Sequence, residues 1–291
     1  MMKFTKHYKI FFSVSGLIIV LGLVMALIAG FNLGIDFSGG TMIQVEFNQS
    51  IDLDEVKDSI KEFNLSPDVI AIGTESNEAM IKTSVSLNND QRMEVFSKLK
   101  SEFDITDDTP RESKQFGPSI GDEIKKRAVY AIILASVGML LYITFRFEWK
   151  FGVAAIIALI HDVLILLSIY AIFRVPVNSA FIAAVLTVVG YSINDTIVVF
   201  DRIRDNVKYA KTTNYFRIAD DSLNQTVVRS INTSLTTLLV IGALYFLGVE
   251  SIKELAFPLL AGVAAGTYSS IFIASPVWVL LKNLTKKRAK A

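Results

Sequence analysis

A chain of 291 residues with 52% hydrophobic content and a mean hydropathy of +0.47 is too apolar for an ordinary soluble domain and reads as an integral membrane protein. The absence of cysteine excludes structural disulfides, thiolate metal sites and a cysteine nucleophile, and two histidines leave little material for a metal cluster. The net charge of +1 conceals a segregation: residues 36–127 carry 19 acidic and 11 basic side chains and the remainder 9 and 18, so an acidic insert interrupts a basic membrane body.

Residues 1–9, with Lys3, Lys6, His7 and Lys9, precede an uncharged stretch from Ile10 to Ile35. A secretion signal has a shorter apolar core, so 10–31 is predicted to be an uncleaved first span. It ends in Asn32-Leu-Gly-Ile-Asp-Phe-Ser-Gly-Gly40, where Gly39 and Gly40 allow a sharp turn or a close backbone approach behind Asp36 and Phe37, and a turn alone accounts for them.

From Thr41 the patterning is that of a soluble domain, predicted over 32–127. Thr41–Phe47 alternates as a strand. Asp52 caps a helix over Leu53–Phe63. Strands follow around Val69–Ile72, bracketed by Pro67 and Gly73, and at Ala79–Val85. Asn88–Phe103 repeats its apolar residues at helical intervals, burying Met93, Phe96, Leu99 and Phe103, and a last strand falls near Arg111–Phe116. The order β-α-β-β-α-β suggests a small ferredoxin-like α+β domain. It contains no histidine and no phosphate loop, so binding is favoured over catalysis, beside the plainer reading of a solvated acidic surface.

Beyond Lys125–Arg127 come a second span at 128–145, a charged turn Arg146–Lys150, and a third span at 151–173 interrupted by His161-Asp162. Neighbours on a helix point about 100° apart, so this pair is a poor start for a metal site. The tight Arg174–Asn178 hairpin leads to the fourth span, 178–200. There Asp195 follows Asn194 inside an apolar run; a carboxylate at that depth costs roughly 2.5–3.5 kcal/mol on insertion scales and commonly faces a bundle interior or a water-filled path. Thr187, Tyr191 and Asn194/Asp195 are predicted to share one face. A plain helix–helix hydrogen bond is the alternative role.

Residues 201–224 read as a polar connection with Arg202, Arg204, Lys208, Lys211 and Arg217. The fifth span, 225–249, opens with Arg229 and carries Asn232, Thr233, Thr236 and Thr237 on one side. Glu250–Glu254 reads as a turn, 255–281 as a sixth span, and 282–291 as a basic tail. Counting Lys and Arg in the short segments places both termini in the cytoplasm and 32–127 outside, Lys125–Arg127 being the exception. The fourth and fifth spans then run antiparallel, with Asp195 and Arg229 at comparable depth and able to pair. Making, breaking or hydrating such a pair changes proton affinity, which describes a proton relay.

Four segments together resemble a known family: Gly34–Gly40, Ala158–Val163, Val189–Arg204 and Asn224–Thr237. They are similar to the signature segments of the SecF family, membrane subunits of the bacterial Sec export accessory complex and part of the resistance-nodulation-division superfamily. The resemblance implies a six-helix membrane bundle with one extracytoplasmic α+β insert in the bacterial plasma membrane. It further implies a separate SecD partner and use of the proton gradient to promote late preprotein translocation through the SecYEG channel, in some cases with a YajC-type subunit.

The family's intramembrane Asp falls on Asp195 and its Arg on Arg229. Asp162, Asn194, Thr187 and Tyr191 would support the path, and Asp36, Phe37, Gly39 and Gly40 would lead into the external domain. No cofactor, metal or nucleic acid is expected, and the remaining contacts would be membrane lipids. Two alternatives remain open: a small-molecule or lipid exporter of the same superfamily, and a structural subunit in which Asp195 and Arg229 only fix helix register. A membrane enzyme is not expected, since the spans offer no Ser/His/Asp set.

Overall fold

The structure, a computed structural model, describes residues 2–72, 77–210, 212 and 214–288. Gly73, Lys211 and Lys290 lie outside them. Six stretches are long and apolar enough to cross a membrane: Thr5–Ala29, Gly121–Arg146, Trp149–Phe173, Ser179–Tyr209, Tyr215–Leu247 and Glu250–Thr285. The protein is a multi-pass membrane protein with a small antiparallel sheet inserted after the first span.

Helix α1 (Tyr8–Ala29) ends at Gly30, whose φ of 65° turns the chain out. The one-turn α2 (Ile35–Ser38) then delivers it to strand β1 (Gly40–Glu46). The paired glycines have a physical cause. Gly39 and Gly40 have φ of 80° and 144°, and a Cβ on Gly40 would stand 2.1 Å from the Thr83 carbonyl oxygen, so a side chain would be strained and would also collide with backbone.

The insert continues through α3 (Leu53–Ser59), β2 (Asp68–Ile72), β3 (Glu78–Thr83), α4 (Asn89–Phe103) and β4 (Glu112–Phe116). The sheet order is β2-β3-β1-β4, every pair antiparallel, with Ile43 opposite Ile81 and Ser113. Alternate residues Ile43, Val45 and Phe47 of the first strand region share a closed core with Val56 and Ile60 and with Val95, Phe96 and Leu99. Helix α4 starts on a capping box in which Asn88 and Gln91 bond each other's backbone, satisfying amides that a helix start leaves free. The helix expected over Leu53–Phe63 stops at Ser59 and finishes as a 3-10 turn, Lys61–Phe63.

The membrane body comprises α5 (Pro118–Arg146), α6 (Trp149–Phe173), α7 (Ser179–Tyr209), α8 (Tyr215–Leu247), α9 (Glu250–Ser269) and α10 (Ser275–Arg288). A π-helical turn, Ser270–Ala274, joins the last two. Helices α6, α7 and α9 form the buried centre, while α1, α5 and α8 keep most of their apolar surface exposed, as helices bordered by lipid or by another subunit do. The packing is close where side chains are small. A Cβ on Gly262 would fall 2.2 Å from Val188, and one on Gly266 would fall 2.9 Å from that of Ser192, so this glycine pair at four-residue spacing brings α9 against α7 backbone to backbone.

Two expectations are corrected. The 201–224 connection is mostly helix: α7 runs on to Tyr209 and α8 begins at Tyr215. Charged residues extend a helix beyond its apolar part when they pair along it, and Arg204–Asp201 at 2.5 Å and Lys208–Asp205 at 3.6 Å do so. Glu250–Glu254 is the first turn of α9, not a loop.

At the end of the bundle away from the insert, the N-terminal segment is pinned to α8. The Thr5 backbone N–H and hydroxyl both donate to Asp220 at 2.8 Å, and the Met2 backbone exchanges hydrogen bonds with the Asn224 side chain at 3.0 and 2.8 Å.

Candidate functional site

Two buried carboxylates lie within the helical bundle, and their surroundings differ. Asp162, wholly buried on α6, is saturated. Its Oδ1 lies 2.9 Å from His161 Nδ1, and its Oδ2 accepts from Ser192 of α7 at 2.6 Å and from Ser269 of α9 at 2.8 Å. His161 Nε2 in turn lies 2.9 Å from the Ser15 hydroxyl of α1, which donates to the Tyr268 hydroxyl at 3.2 Å. One acid thus ties four helices together. Adjacent helical residues diverge by about 100°, yet the long imidazole folds back to meet its neighbour.

Asp195 is 3% exposed on α7 and has one hydrogen-bond donor among the described residues, the Ser234 hydroxyl of α8 at 3.2 Å. Ser234 is itself approached by Thr267 of α9 at 2.6 Å and by the Tyr191 hydroxyl at 3.4 Å. An ionised carboxylate only accepts, whereas a neutral one carries a proton to donate. A proton on Asp195 Oδ2 would turn that oxygen into a donor to Ser234 and reverse the hydrogen bond that links it, through Ser234, to Thr267 on α9.

The four residues expected on one face of the fourth span separate. Asp195 is buried, Tyr191 half-buried, and Thr187 and Asn194 exposed; the Thr187 hydroxyl bonds back to Ala183 of its own helix at 2.9 Å. Asp195 and Arg229 form no ion pair among the described residues. Arg229 is exposed on α8, one residue from the buried Ser230. Asp162 and Asp195 share no hydrogen bond among the described residues; Asp162 is bonded by Ser269 of α9 directly, Asp195 reaches Thr267 only through Ser234. No cluster of three His, Cys, Asp or Glu that could hold a metal occurs among the described residues.

The hydroxyls carry the arrangement, and reading the sequence did not single them out. On α8 the buried polar residues Ser222, Thr226, Ser230 and Ser234 recur every fourth position, a single row along one side of the helix. Ser230, between Thr226 and Ser234, has no hydrogen-bond partner among the described residues. Such spacing was visible in the sequence, but the exposed threonines beside it gave an equally polar signal.

At the insert side, Asp36 accepts from the Ser179 backbone N–H at 2.8 Å, satisfying one of the amides at the start of α7. Phe37 is buried in the membrane-body core. The Asp36-Phe37-Ser-Gly-Gly40 segment is thus a bracket: the acid grips the helix bearing Asp195, the ring anchors in the bundle, and the glycines start the sheet.

Comparison with known proteins identifies the family. Residues 96–284 match the model of the protein export membrane protein SecD/SecF C-terminal family, and residues 25–51 that of the SecD/SecF GG motif. The chain is 38% identical over 272 residues to the protein translocase subunit SecF of Haemophilus influenzae, covering 94% of this chain and 83% of that protein. It is 34% identical to the translocase subunit SecDF of Bacillus subtilis, covering 99% of this chain but 39% of the longer protein. The crystal structure of SecDF from Thermus is similar at a TM-score of 0.82 and 35% identity, over 96% of this chain and 38% of that one. The chain spans about two fifths of these SecDF relatives.

Proposed function

Because the chain belongs to the SecD/SecF family of protein export membrane proteins, we propose that it is the SecF-type accessory subunit of a Sec translocase, coupling proton entry at Asp195 to late translocation of preproteins. The observation that carries the reading is a buried membrane carboxylate with a single hydroxyl donor among the described residues, at the head of a chain of hydroxyls that leads through Ser234 to Thr267 of α9. Intramembrane acids of this kind mark proton relays. Each proton crossing the membrane releases about 2.3 kcal/mol per 100 mV, so a few suffice to shift a packed helix.

In this reading Asp195 takes the proton and Arg229 neutralises the carboxylate when α7 and α8 move toward each other. Thr187, Asn194 and Tyr191 line the approach, while Asp162 holds the surrounding helices in register. Both termini lie in the cytoplasm and the acidic insert outside, in keeping with the distribution of Lys and Arg. The insert's antiparallel β2-β3-β1-β4 order, with a helix after β1 and after β3, supports a ferredoxin-like domain. The partner is a SecD-type protein, since relatives named SecDF continue beyond the region this chain matches. The SecYEG channel, the moving preprotein, a YajC-type subunit and lipids complete the assembly. No cofactor, nucleic acid or covalent chemistry enters the scheme.

The test is pulse-chase export of a secreted precursor with wild-type or Asp195→Asn protein at matched membrane level and matched SecD association. Slow maturation that no longer responds to the proton gradient is the expected result. Normal maturation would assign Asp195 to packing and move the proton work to the partner.

A further inference from the structure

The insert and the membrane helices meet through one ion pair among the described residues. Lys82 of β3 donates to Glu254 of α9 at 2.9 Å, and the two side chains are 19% and 25% exposed. The other oxygen of Glu254 accepts from the Asn178 amide at 2.9 Å, and the Asn178 Oδ1 caps α7 by accepting from the Phe181 N–H at 3.1 Å. One carboxylate therefore connects the sheet, the start of α9 and the start of α7. A cleft of about 470 Å³ opens on one side of this contact and one of about 430 Å³ on the other, and Asn178 and Glu254 line both. The carboxylate stands between the two clefts, at the point where the sheet rests on α9.

Glu254 is also where the hydrogen-bond ladder of α9 is interrupted. Pro258 lies inside that helix and has no N–H, so the Glu254 carbonyl lacks the amide that would hold it four residues on. At its other end α9 gives way to the π-helical turn Ser270–Ala274, an irregularity common at functional sites. The last residues before and in that turn touch both acids' surroundings: Thr267 reaches Ser234 beside Asp195, Ser269 reaches Asp162, and Ser270 lies 2.9 Å from Thr196. Between these ends Gly262 and Gly266 pack α9 closely on α7.

Resting on the proton-driven reading above, we propose that α9 is the connecting rod between the buried acids and the external domain, and that Lys82, Glu254 and Asn178 are the positioning residues forming its outer joint. A turn of Ser234 and Thr267 displaces the inner end of α9; Pro258 lets the first turn swing; the Lys82–Glu254 pair passes the displacement to the central part of the sheet.

The test uses the full chain with its SecD-type partner in membranes. Lys82→Glu and Glu254→Lys are each expected to lower gradient-dependent export by at least about fivefold, the lower end of a coupling energy between linked sites, at unchanged membrane level and partner association. The double reversal is expected to recover it. Because the chain has no cysteine, Lys82→Cys with Glu254→Cys can be bridged by a membrane-permeant bis-methanethiosulfonate and released by dithiothreitol. Export should be low with the two cysteines free, rise when they are bridged and fall again on release, with single-cysteine variants insensitive to the reagent. If the reversed variants fail to accumulate, the bridged pair decides. Wild-type export by the single reversals or by the free double-cysteine protein, no rise on bridging, or a double reversal no better than the singles, overturns the joint; if Asp195→Asn still abolishes gradient dependence in the same assay, the relay reading stands alone. If Asp195→Asn also exports normally, the reading and the joint fall together.

Discussion

Asp162 and Asp195 are both acids buried in membrane helices, yet the first is bonded by three side chains from three helices and the second by one. A fully partnered carboxylate has no room to change: every alternative state loses bonds already made. A carboxylate with one partner changes state by rotating a single hydroxyl. The contrast separates a group that fixes the bundle from one that moves it, although both look alike as an Asp in an apolar run.

Removing Asp162 tests this contrast most severely. Asp162→Ala leaves His161, Ser192 and Ser269 buried without their acceptor, and should cost about 3–5 kcal/mol, read as loss of accumulation or a sharply lowered midpoint for thermal unfolding in detergent. Gly262→Leu, which forces a side chain into Val188 at a backbone-close contact, should cost about 1–3 kcal/mol and weaken both acids' surroundings together. Ser269→Ala removes one of three bonds to Asp162 and should cost about 1 kcal/mol, with export intact. The smallest stability effect, within about 1 kcal/mol of wild type, is expected from Asp195→Asn, the variant expected to harm export most. If instead Asp195→Asn unfolds the protein and Asp162→Ala does not, the roles are reversed.

Much of this was legible beforehand because hydrocarbon-length runs and strand alternation are long-range, repeated signals. The six spans, the insert's order of elements and the oddity of Asp195 needed no structure. What stayed hidden depends on azimuth and on single residues. Ser192 follows Tyr191, and Thr267 and Ser269 belong to the hydroxyl run Thr267–Ser270; which of these hydroxyls meets an acid depends on how α9 packs on α7 at Gly262 and Gly266. The exposed position of Arg229 was hidden for the same reason: equal depth across an antiparallel pair says nothing about which way a side chain leaves its helix. The length of α7 was misjudged because charge was read as the end of a helix, when it marks only the end of its apolar part.

The clip at the N-terminus bears on how the molecule is made. Thr5 finds its partner at Asp220, 215 residues later in the chain, and at synthesis rates of roughly 5–20 residues per second that partner arrives about 10–40 seconds after it. Over that interval the earliest helix waits in the bilayer with its end untied. Fastening of the first helix is therefore a late event in synthesis, when the fifth span emerges and ties the beginning of the protein into place.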